Sequence, residues 1–72
     1  MNDKYIPYWG VFVDEDCDIF HLDAIALSKQ DFVEKTEKMH GKKIMKHQIS
    51  FLKDGEITIY GWEKAHETPT DT

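Results

Sequence analysis

Four histidines, His21, His40, His47 and His66, and one cysteine, Cys17, are the side chains that could hold a soft metal ion. Zinc sites need ligands at short spacings such as CxxC or HxxxH, and no pair here has one. Cys17 and His21 could pair as nucleophile and base, but an acidic loop disfavours the thiolate such chemistry requires. Asp14-x-Asp16-x-Asp18 copies the first three ligands of a calcium loop. Ile19 then stands where that loop needs glycine, and Ile25 where it needs a bidentate Glu, so an EF-hand is excluded. Lys42, Lys43 and Lys46 form a small basic cluster. All nine basic residues are Lys and the net charge is -5, so the bidentate Arg contact to bases is missing and charge opposes a polyanion. The expectation is a protein that is not an enzyme, has no cofactor or metal, and does not bind nucleic acid directly.

The elements that position these residues are legible in part. Tyr5 to Val13 is aromatic and β-branched and reads as a strand. Pro7 denies it one donor, so the strand is expected to start late or lie at a sheet edge. Asp14 to Asp18 reads as a hairpin loop, and Ile19 to about Ala24 as the returning strand. Ser28 is a helix N-cap and Asp31 a shortened capping box, with Leu27 and Phe32 placed for a hydrophobic staple. Phe32, Val33, Thr36, Met39 and His40 share one face of a helix over 29–40, and Gly41 supplies its left-handed end.

The rest reads as a second hairpin, Ile44 to Leu52 and Glu56 to Glu63, around Lys53-Asp54-Gly55. A two-residue Asp54-Gly55 turn pairs Leu52 with Ile57. A three-residue loop pairs Phe51 with Ile57 and Ile49 with Ile59. The second segregates the faces, with Met45, Ile49, Phe51, Ile57 and Ile59 inward and Lys46, Gln48, Ser50, Thr58, Tyr60 and Trp62 outward, and is the expected register. The fold class is therefore α+β: a two-layer sandwich of a four-stranded antiparallel sheet and one helix, in the order β-β-α-β-β. Residues 1–64 are expected to form one domain and 65–72 a flexible tail.

A helix of about 12 residues, roughly 18 Å long, covers one face of such a sheet and no more. Phe20, Phe32 and Phe51 fit the covered side. In the first strand Trp9, Val11 and Val13 alternate with Tyr8, Gly10 and Phe12, and either set left outside is apolar. Tyr60, Trp62 and one of Trp9 or Tyr8 are then expected on an uncovered face, and Tyr and Trp are the residues that anchor interfaces. Charge is uneven as well. Residues 1–31 hold seven acids against two Lys, and residues 35–53 hold six Lys against one Glu. The acidic end, Asp14, Glu15, Asp16 and Asp18, is expected to steer a basic partner surface.

The layout FHLDAIALSKQDFVEKTEKMHG followed by KKIMKHQISFLKDGEITIYGW, residues 20–62, resembles the small acidic α+β inhibitors encoded by phages and mobile elements. Anti-CRISPR proteins and phage inhibitors of host RNA polymerase include several of this kind. The resemblance is architectural and carries over no individual residue. It implies a mode of action: binding a host protein or defence complex and blocking its surface without chemistry. A second copy of the chain is the alternative partner, and a nucleic-acid-binding module the further alternative. With one cysteine, an N-terminus without the layout of a secretory signal, and apolar runs of only a few residues, the expected location is the cytoplasm, away from any membrane.

Overall fold

The computed structural model describes residues 4–65. Its elements are β1 (Ile6–Asp14), β2 (Ile19–Ala26), α1 (Lys29–His40), β3 (Ile44–Lys53), β4 (Glu56–Ile59) and β5 (Glu63–Lys64). The strands form one antiparallel sheet in the spatial order β2-β1-β3-β4, and β5 pairs with the first half of β3. The α+β class and the β-β-α-β-β order hold, with β5 added where one longer last strand was expected. The expected tail falls on residues 66–72, outside the described part. Ala65 itself is tied down, its N–H donating to Met45 O at 2.9 Å.

Local chemistry explains α1. Ser28 Oγ accepts from Asp31 N at 3.1 Å, and Asp31 Oδ2 reaches back to accept from Leu27 N at 2.9 Å. Two orphan N–H groups are satisfied reciprocally, one residue earlier than in the standard box. Gly41 closes the helix at φ 82°, where a Cβ would be strained, and donates to Glu37 O. Phe32 and Thr36 are buried against the sheet. Met39, expected on that face, is exposed instead.

β1 is central rather than at an edge. Asp14 N donates to Asp18 O, which makes 14 and 18 a hydrogen-bonded pair. Alternation down the ladder then makes Pro7, opposite Ile25, a non-bonded position on the β2 side. Pairing with β3 starts only at Tyr8, so the donor Pro7 lacks is needed on neither side. The first turn is a three-residue loop, Glu15-Asp16-Cys17, with Cys17 left-handed at φ 65°.

The second hairpin takes the other register. Lys53 pairs with Glu56, Leu52 with Ile57 and Phe51 with Thr58. Asp54 and Gly55 both have positive φ, 53° and 80°, which is the type I′ geometry whose twist matches the strands. The expected three-residue loop is therefore corrected, and Ile57 and Ile59 point away from the helix. Between Val13 and Asp14 the β1–β3 register shifts, leaving Met45 without a partner on β1. This slip turns Met45 outward and Ile44 inward.

The core lies between α1 and the inner sheet face, built from Tyr8, Phe12, Ala26, Phe32, Ile44 and Ile49. Phe12 meets Phe20 at 5.3 Å and Phe32 at 5.6 Å between ring centroids. Gly10 lies beside it because there is no room for more. A Cβ there would stand 3.0 Å from Gln48 O and 3.1 Å from Phe12 Cζ.

Candidate protein-binding face

The strand register sorts the expected contact residues between two faces. Tyr8 is buried, stacked on Phe32 at 5.5 Å, so of the first-strand pair it is Trp9 that lies outside. Tyr60 is also turned in. It lies against Phe51 at 5.7 Å, with the Lys29 ammonium over its ring at 4.1 Å. Tyr8 and Tyr60 are thus corrected as surface aromatics, because the helix side of the sheet claims both rings. Trp62 stays outside at 51% exposure, with Lys46 Nζ 5.7 Å from its ring centroid.

Among the described residues, no helix covers the outer face. β1 contributes Trp9, Val11 and Val13, β2 contributes Ile19 and Ile25, β3 contributes Leu52, and β4 contributes Ile57 and Ile59. Ile19, Ile57 and Ile59 are 72%, 62% and 66% exposed. A depression of about 620 Å³ runs across the middle, where Trp9, His21, Asp23, Gln48, Ser50 and Ile59 meet. Sequence reading missed Ile57 and Ile59 because it asked one face to hold them together with Ile49 and Phe51. The Asp54-Gly55 pair was the signal that pointed the other way.

The acidic hairpin end is not a free negative surface. Asp14 is a buried structural carboxylate. Its Oδ1 accepts from Asp16 N at 2.8 Å and Asp18 N at 3.0 Å, and its Oδ2 lies 2.8 Å from His40 Nε2. The His40 hydrogen bond, helped by the two backbone donors, holds the Asp14 carboxyl below its ordinary range. His40 in turn stacks on Phe20 at 4.1 Å. Asp16 pairs with Lys42 at 2.6 Å, which raises the Lys42 ammonium's pKa, and Glu15 N donates to Lys43 O. The loop is pinned to the end of α1. Glu15 and Asp18 remain as exposed acids that no described ion pair uses.

A second depression, about 640 Å³, lies at the edge of the helix layer between Lys29, Val33, His47 and Glu63. His47 is buried at its floor and burial pushes its pKa down; its Nδ1 has no hydrogen-bond partner among the described residues. Lys29 is paired with Glu63. Among the described residues, no three His, Cys, Asp or Glu side chains come together as a metal site. Cys17 is a free, exposed thiol at the hairpin tip. No helix among the described residues is long and apolar enough to cross a membrane. No protein-family model matches the chain, and no curated protein or solved structure matches it.

Proposed function

We propose that this chain is a non-catalytic, cytoplasmic protein-binding module that acts by covering a surface of another protein with its open sheet face. The observation that carries this reading is the face itself. The one helix among the described residues is spent on one side of the sheet, which leaves Trp9, Leu52, Ile57 and Ile59 unshielded on the other, with Trp62 beside Lys46. Exposed apolar area of this kind on a small domain marks a contact surface, and Trp is the residue that most often anchors one. The partner is an apolar protein surface with room for an indole. The resemblance to small phage and mobile-element inhibitors gives the direction, a host protein whose surface is blocked.

Trp62→Ala is the test. Wild-type and variant protein serve as paired baits in cell extract, and a protein enriched by the wild type alone is purified and titrated. The variant is expected to bind it about thirtyfold more weakly, a loss of about 2 kcal/mol. Its fold, read by circular dichroism, is expected to persist. A purified partner that binds Trp62→Ala and Ile59→Lys as tightly as wild type would refute the open face as the site.

A further inference from the structure

β2 is an edge strand of eight residues, paired with β1 on one side and with none of the described residues on the other. Its hydrogen-bonding direction follows from the first hairpin. Asp14 N bonds Asp18 O, so the even-numbered residues of β2 point their backbone groups at β1. The N–H and C=O groups of Ile19, His21, Asp23 and Ile25 therefore point out of the sheet. Edges are ordinarily blunted by Lys, Pro, a bulge or shortness. β4, the opposite edge, is only four residues long. β2 has none of the four devices.

We infer that this edge pairs with the β2 edge of a second copy of the chain, antiparallel, about a two-fold axis at Leu22. The side chains select that register. With Leu22 opposite Leu22, each Ile19 faces an Ile25 and each His21 faces an Asp23 on the open face, while each Phe20 faces an Ala24 on the helix side. Large meets small and imidazole meets carboxylate, twice over by symmetry. Moving the axis by one residue to Asp23 sets the two Asp23 carboxylates against each other. Moving it to His21 sets Ile19 against Asp23. A half-residue shift would put outer residues opposite inner ones. In the chosen register the four outward-pointing pairs exchange about eight backbone hydrogen bonds. Ile19 and Ile25, both largely exposed in one copy, cover each other. The two sheets become one, and the open faces become continuous. The pairing covers only the β2 margin of the open face and leaves Trp9, Leu52, Ile57, Ile59 and Trp62 uncovered, so it holds whether or not those residues bind a partner.

The experiment is sedimentation equilibrium of the full chain across a concentration series, together with amide hydrogen exchange. Wild type is expected to reach twice the monomer mass, with the Ile19, His21, Asp23 and Ile25 amides slowing as dimer forms. Asp23→Lys, which sets Lys opposite His21, is expected to weaken association at least about tenfold. The double variant His21→Glu, Asp23→Lys restores an opposite-charge pair and is expected to restore the dimer. Circular dichroism checks that each variant is folded. A wild type that stays monomeric, or dimerises with those four amides still fast, overturns the inference. So does a folded double variant that stays monomeric, or an Asp23→Lys dimer as tight as wild type.

Discussion

Ile49 and Ile59 carry the same side chain in one hairpin, and the register places them on opposite faces. Ile49 is fully buried beside Gly10 and the core, while Ile59 is 66% exposed. Replacing each with Thr keeps the β-branched shape and isolates burial. At Ile49 the change removes buried carbon, about 0.5–1.5 kcal/mol for a methylene. It also leaves a hydroxyl in an apolar site, at about 1–3 kcal/mol. The total is about 1.5–4.5 kcal/mol, a large share of the roughly 4–11 kcal/mol that a 72-residue chain commands. At Ile59 only about a third of a side chain worth about 1.5–3 kcal/mol is out of water, and the new hydroxyl is solvated. The expected loss is about 0.5–1 kcal/mol. With about 4–8 °C per kcal/mol for a domain of this size, Ile49→Thr should lower Tm by at least about 6 °C and Ile59→Thr by clearly less. Thermal melting and urea titration with unchanged m-values measure both. Equal losses would refute the reasoning, since they would put both residues on one face and require the three-residue loop.

Gly10→Ala is expected to destabilise by about 1–3 kcal/mol in the same melts, although alanine suits strands better than glycine, because the new methyl meets a backbone carbonyl and the Phe12 ring. A neutral or stabilising result would show that β1 and β3 can separate at no cost. Acid should act in two steps. The His47 pKa is lowered below its ordinary 6.5, so the fold favours the neutral ring, and that contribution is complete above 6.5 and erodes as pH falls below it. The Asp14 carboxyl is held below its ordinary 3.8, so its contribution is complete above that value and goes only as pH falls through the lower folded one. Urea midpoints between about pH 8 and pH 1.5 should show the first step vanish in His47→Phe and the second in Asp14→Asn. A step that survives its own substitution would assign it elsewhere.

The helix and both turns were written locally. Ser28, Asp31 and Gly41 act on backbone groups within a few residues, so α1 could be bounded from the sequence. The hairpin order could be read for the same reason. The second register was also present locally, in Asp54-Gly55, but a global assumption overrode it. Sorting Ile49, Phe51, Ile57 and Ile59 to one face is sound only where the other face is polar, and here both faces are apolar. A type I′ turn that fits the strand twist decides the pairing, and the surplus side chains go outside. Three features needed the tertiary structure. Trp9 and Tyr8 are equally apolar neighbours, and only the docking of Phe32 on Tyr8 chose between them. Tyr60 follows the two-residue-turn register inward, its N–H donating to Ile49 O, and only the folded chain brings Phe51 and Lys29 to its ring. Asp14 looked like one acid among several, and its partner His40 is 26 residues away. Composition and spacing report what a residue could do with its neighbours in sequence. A carboxylate becomes structural or exposed according to a partner that only the folded chain delivers.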